Sequence, residues 1–234
     1  MKKEEVGDCI SCKNLNCFIK MHYNPQELEA VVANRFVIEC KKSQSFIIER
    51  APVQGIYFIY SGAVKVTKSG YNGKEQIVRL TGDGDVIGLR GYNRRKVYPI
   101  ACTALEPTTL CYFSNKFFTQ ELQTNNKLSY EMMLLYAEEL DKTEERVKKF
   151  AQMTVREKVV DSLLLMYDRF GQDEDGIKLV LSRTDIANLA GTNSEQVIRV
   201  LMTLKNEGVI NCEGKHIFLV KADALRKEIQ EYNY

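Results

Sequence analysis

Three of the chain's seven cysteines crowd its first 17 residues, as Cys9-x2-Cys12-x4-Cys17. Thiols this close together bind a metal as thiolates, exchange electrons as a disulfide switch, or stay free on a mobile segment. An odd cysteine count and a reducing compartment disfavour structural disulfides. A fourth thiol, Cys111, closes the stretch ALEPTTLC from Ala104. With the three arm thiols, either Cys111 or His22 completes the four ligands of a zinc site. Cys40, Cys102 and Cys212 lie among apolar or strand residues and read as packing.

A second chemistry-bearing segment is RTDIANLAGTNSEQVIRVL, Arg183 to Leu201. Small Ala187 stands where two helices must touch, and Gly191 follows four residues later, where the chain turns. Val197, Val200 and Leu201 would bury the second helix. This is the spacing of a helix-turn-helix, whose second helix enters a major groove. On that helix Glu195 and Arg199 lie one turn apart, with Ser194 and Gln196 beside them near its start. An arginine grips guanine O6 and N7 with two hydrogen bonds, and a glutamate accepts from cytosine N4. Thr192 followed by Glu195 also spells a capping box, which would occupy that carboxylate with a backbone amide. Ser182 and Thr184 are placed to cap the first helix and to touch phosphate.

Reading a duplex with short helices calls for two copies, and the chain offers a seam for joining them. Met133, Tyr136, Leu140, Thr143, Val147 and Phe150 recur at alternating steps of three and four between charged residues. A helix over 129–150 would be about 33 Å long, with the narrow apolar stripe of a two-stranded coil. Thr143 would weaken that stripe, which suits a regulated dimer.

Other elements must position these parts. A helix is expected from Pro25. From 36 to 113, short β-branched and aromatic runs appear at 46–49, 56–60, 63–67, 76–80, 99–104 and 108–113. Ser61-Gly62, Asn72-Gly73 and Gly82-Asp83-Gly84-Asp85 punctuate them as turns, and an antiparallel β-roll is the natural product. After Thr154 come a helix over 155–170, an acidic turn at 172–176, a strand over 178–181, the two close helices, and a hairpin or wing from Ile210 to Val220.

Composition narrows the function classes. Hydrophobic residues make up 44% of the chain, enough for buried cores. No apolar run approaches the roughly 20 residues of a membrane span, and the start lacks a secretory signal, so a cytoplasmic protein without membrane contact is expected. Lys plus Arg exceed Asp plus Glu only by 33 to 31, and residues 151–234 hold 11 basic against 13 acidic side chains. DNA binding must therefore rest on a local patch and on two copies, and weaken steeply with salt. His22 and His216 are the only histidines, and neither stands beside an evident nucleophile, so no enzyme is expected.

The Gly-punctuated roll, the seam helix and the winged helix-turn-helix, in that order, resemble the CRP/FNR family of bacterial transcription regulators. The stretches that carry the resemblance are IYFIYSGAVKV (Ile56 to Val66), GDVIG (Gly84 to Gly88), ALEPTTLC and Arg183 to Leu201. It implies an α+β chain with a cysteine-rich arm (1–24), a cyclic-nucleotide-binding-like β-roll sensor (25–127), a dimerisation helix (128–150) and a winged helix-turn-helix DNA-binding domain (151–234). It also implies a homodimer on a two-fold operator, working with RNA polymerase.

Cyclic-nucleotide-binding members carry Gly-Glu after the Gly-Asp turn and a later Arg-Ser pair. Here Gly88 is followed by Leu89-Arg90, and the later position reads Pro99-Ile100-Ala101, so cyclic AMP is not the expected effector. Cys111 falls where FNR-type oxygen sensors keep their fourth cluster ligand. The resemblance thus implies a [4Fe-4S] cluster on Cys9, Cys12, Cys17 and Cys111, responsive to oxygen or nitric oxide. The last arm gap, four residues, is one shorter than in the best-known sensor. Arg90, Arg94, Arg95 and Lys96 offer an anionic ligand a different seat, and halorespiration regulators of the family, which share the Glu-Pro-Thr stretch, bind a chlorinated aromatic in the roll. A module regulating a partner protein would have no use for residues 183–201.

Overall fold

The computed structural model describes residues 9–232; the arm before Cys9 lies outside them. The chain forms two compact units, one of residues up to 73 with 78–138, the other of 74–77 with 139–234.

The first unit opens with α1 (Phe18–His22) and α2 (Pro25–Val32). Asn24 starts α2 with a capping box, its side chain accepting from the Glu27 amide while the Glu27 carboxylate accepts from the Asn24 amide. Eight strands follow: β1 (Arg35–Cys40), β2 (Ser45–Ile47), β3 (Gly55–Ser61), β4 (Val64–Ser69), β5 (Glu75–Thr81), β6 (Val86–Ile87), β7 (Ala101–Ala104) and β8 (Thr108–Ser114). They form two four-stranded sheets, ordered β1-β8-β3-β6 and β2-β7-β4-β5. The expected runs fall within a few residues of six of these strands. β1 and β6 were not expected. β1 is a sheet edge that leaves Phe36 and Val37 exposed, so its apolar positions do not follow a burial rhythm. β7 starts at Ala101 rather than Pro99, whose ring nitrogen has no proton for a ladder. Gly62, at φ 112°, turns β3 into β4 where a Cβ would come within 2.5–2.9 Å of Thr108 and Pro107.

Alternation along β3 and β8 divides the interior. Ile56, Phe58 and Phe113 point to a core shared with Phe18, Ile19 and Tyr23. Tyr57, Ile59 and Leu110 point to a second core inside the roll, with Val64, Val66 and Cys102. The arm is therefore not loose over its described length: Cys9, Phe18, Ile19 and Tyr23 are buried in the first core. α3 (Asn115–Thr124) and the 27-residue α4 (Asn126–Gln152) follow. α4 exceeds the expected 129–150 at both ends, and its Leu128 and Met132 close the first core.

The second unit holds the end of α4, α5 (Val155–Phe170), a small hairpin of β9 (Gln172–Asp173) and β10 (Gly176–Ile177), α6 (Arg183–Ala190), α7 (Ser194–Asn206), the wing strands β11 (Ile210–Glu213) and β12 (His216–Leu219), and α8 (Ala222–Glu228). α5 matches expectation and starts on a Thr154–Glu157 capping box. The strand expected over 178–181 does not form. The acidic turn joins β9 to β10 instead, while Leu179 and Leu181 bury their side chains from irregular backbone. The division into compact units falls inside α4, between 138 and 139, so the seam helix is not a body of its own.

Candidate functional site

Two constellations carry chemistry. The first is a small pocket, partly open to solvent, whose lining includes Cys9, Cys12, Cys17 and Cys111. β8 supplies Cys111, opposite Phe58 of β3 and Val37 of β1. It sits between Leu110 and Tyr112, which face the roll interior, so alternation turns it outward to the arm. The arm is fixed by short polar links: the Asn14 amide donates to the Ile59 carbonyl at 3.3 Å, and the Lys20 ammonium donates to the Cys12 carbonyl. Cys17 is the residue before α1. The structure thus brings together the four cysteines singled out in sequence. His22 is not among the lining residues; its ring packs on Phe18 at 4.3 Å and its Nδ1 lies 3.6 Å from Glu131.

Burial pushes the Cys9, Cys17 and Cys111 thiols up, Cys111 to about 12. The Arg35 guanidinium pulls Cys9 and Cys111 back, and nearby thiols add to the rise. At Cys17 the amides of Lys20 and Ile19 oppose burial. Arg35 Nη1 lies 4.0 Å from Cys9 Sγ. Neither Arg35 nor Lys20 was singled out in sequence: Arg35 lies 26 residues from Cys9 and meets it only through the fold, and Lys20, though close to Cys12 in the chain, belongs to no pattern that marks it.

The donor set decides which metal group suits this pocket. No carboxylate or imidazole lines it. Among the described residues no three His, Cys, Asp or Glu side chains converge as a single ion requires. As a donor set, the four cysteines that line the pocket are those that would hold an iron–sulfur cube, one thiolate to each iron.

The second constellation is α7. Gly191, at φ 66°, ends α6 in the left-handed conformation and turns the chain. The rival capping box of Thr192 and Glu195 does not form: Asn193 is the cap, its side chain accepting from the Gln196 amide at 3.0 Å, and the Thr192 hydroxyl pairs with the Gln196 side chain. Asn caps as well as Asp or Ser, and the Glu195 carboxylate is left free of that duty. Glu195 and Arg199 are 84% and 79% exposed, 4.0 Å apart on one face. Val197, Leu201 and Leu204 are buried, with Val200 only half-buried. Ser182 caps α6, its hydroxyl accepting from the Asp185 amide. Thr184 does not cap; its hydroxyl lies 3.3 Å from that of Ser194, joining the starts of both helices. Arg183 donates to the carbonyls of Gly214 and Lys215 in the wing turn, a link the sequence did not disclose.

On α4, Met133, Leu140 and Val147 are exposed, Thr143 is exposed beside them, and Tyr136 is partly covered with its hydroxyl bonded to the Leu89 carbonyl. Phe150 departs from this stripe. Its ring is half-buried under the Arg146 guanidinium at 5.1 Å and lies 3.5 Å from where a Gly191 Cβ would stand.

Comparison with known proteins places the β-roll and the helix-turn-helix in one lineage. A cyclic nucleotide-binding domain model matches residues 37–125, and a Crp-like helix-turn-helix domain model matches 157–228, together about two thirds of the chain. The chain is 26% identical to the anaerobic regulatory protein of Pasteurella multocida, over 89% of this chain and 78% of that one. It is equally 26% identical to the cAMP-activated global transcriptional regulator CRP of Escherichia coli, over 81% and 92%. The structure of FixK2 from Bradyrhizobium japonicum superposes with a TM-score of 0.73 at 23% identity, covering 82% of this chain and 96% of that one. Equal identity to relatives named for different signals means that similarity alone does not select the effector. With a sensor domain of the first kind preceding a DNA-binding domain of the second, the chain belongs to the CRP/FNR family of transcription regulators rather than to an enzyme family.

Proposed function

We propose that this regulator is a cytoplasmic homodimer that binds a two-fold DNA operator when a [4Fe-4S] cluster occupies the pocket of Cys9, Cys12, Cys17 and Cys111, and that oxygen or nitric oxide, by destroying the cluster, releases it. The observation that carries the reading is the four thiols around one pocket, three from the arm and one from β8. The cluster, when bound, supplies an oxygen-labile cross-link. The chain's own residues do the rest. The thiolates tie the arm to the roll, and α4, whose Leu128 and Met132 close the core behind the arm, carries the exposed Met133, Leu140 and Val147 to a second copy. Glu195 and Arg199 read base edges, Ser194 and Gln196 stand beside them, and Ser182 and Thr184 approach the phosphates. RNA polymerase is the partner through which a bound dimer acts.

Anaerobic purification with iron and sulfide analysis tests this reading. Near-stoichiometric iron and sulfide in the parent, lost in C12A and C111A, is the expected result. A colourless, iron-free parent protein removes the cluster and leaves a regulator of another signal.

One observation favours a second reading, an aromatic or small anionic effector in the roll. Tyr57, Tyr92, Tyr98 and Tyr112 gather in or against the roll core, and the buried Tyr92 hydroxyl has no hydrogen-bond partner among the described residues. An iron-free protein whose operator affinity rises with a chlorinated phenol would establish this reading instead.

A further inference from the structure

The thiol pocket contains positive charge as well as sulfur. Arg35, at the start of β1, pairs with Phe113 of β8, two residues beyond Cys111. Its guanidinium reaches Cys9 at 4.0 Å. Lys20, on α1, also lines the pocket and bonds the Cys12 carbonyl. Both cations line the pocket, and every other lining residue that is not a cysteine is apolar or neutral. Four thiolates around a doubly positive cube leave two net negative charges in a pocket whose thiols are largely withdrawn from water. An anionic centre removed from water needs opposite charge or hydrogen-bond donors, and two cations match it in number.

We propose that Arg35 and Lys20 are positioning residues that balance the charge of the tetrathiolate centre and thereby set its reduction potential. The inference rests on the cluster reading above. Adding an electron to the cluster adds a third negative charge, so removing a nearby cation disfavours the reduced form. At a separation of several ångströms and intermediate dielectric, one charge is worth roughly a tenfold change in the one-electron equilibrium, about 59 mV.

The test is a mediated potential titration of anaerobically purified full-length protein, followed by visible absorption, for the parent, R35Q, R35K and K20M. The expected result is a potential more negative by roughly tenfold in equilibrium for R35Q and K20M, with R35K returning most of the shift. A merely structural role for Arg35 would lower iron content or melting temperature without that rescue pattern. If R35Q does not fold, K20M carries the same readout. Unchanged potentials in fully loaded R35Q and K20M overturn the inference and leave the cluster reading intact. A parent protein without iron and sulfide overturns both.

Discussion

The side-chain oxygen of Asn193 accepts the Gln196 amide at 3.0 Å, and so leaves the Glu195 carboxylate beside Arg199 in solvent. Had Glu195 closed a capping box with Thr192, the reading face of α7 would have presented one polar group fewer. The cap and the reading residues are therefore separable by mutation. N193A is expected to lower stability by about 1 kcal/mol and to weaken binding to all sequences alike. T192A, which removes only the contact to Gln196, is expected to cost less. Urea unfolding of both variants, with operator and random DNA titrations alongside, checks this.

Base preference is expected to reside in Arg199 and Glu195. R199A should lose about 1–3 kcal/mol of discrimination at one operator position while its affinity for random DNA changes little. Competition between operator variants measures this directly. Unchanged base preference would mean that another face of α7 meets the groove.

Self-association is expected to depend on the outward stripe of α4. Leu140 and Val147 are 60% and 62% exposed, so L140E leaves the fold intact and costs only the pairing. Sedimentation should show a monomer at concentrations where the parent is dimeric, and operator affinity should drop with it. F150A should behave differently. Its ring packs against Arg146 and near Gly191, so the loss falls on thermal stability.

A charge cluster offers a pH test of the second unit. Arg156 joins Glu207 with two hydrogen bonds of 2.7 and 2.8 Å and reaches Glu228 at 2.7 Å. Hydrogen bonding to Arg156 holds the Glu207 carboxyl below the ordinary carboxylate value. A lowered carboxylate pKa stabilises the fold above its unfolded value and loses that contribution as pH falls through the folded one. R156Q should therefore melt earlier than the parent at pH 7, and the gap should close below about pH 4.

Much of this architecture is legible in the sequence because local signals agree there. Pro25 behind a capping residue, α5, the Gly62 turn and the helix-turn-helix spacing around Gly191 each depend on near neighbours. What was missed depends on partners distant in sequence. β1 forms because β8 lies alongside it, and the 178–181 stretch stays irregular because it has burial without a strand to pair with. Arg35 reaches Cys9 only because the folded arm lies against the start of β1. The three arm cysteines stood out by type and spacing and Cys111 by the family resemblance, but the pocket they line exists only in the folded chain.

The most direct measurement follows one anaerobic sample through exposure to air, recording visible absorption, iron and sulfide content, and operator affinity at fixed salt. The account predicts that the visible band and operator affinity decay together, that C111A starts without either, and that C212S, whose thiol lies in the wing and is not among the pocket's lining residues, behaves as the parent does. Operator binding that persists undiminished after all iron and sulfide are gone would contradict it.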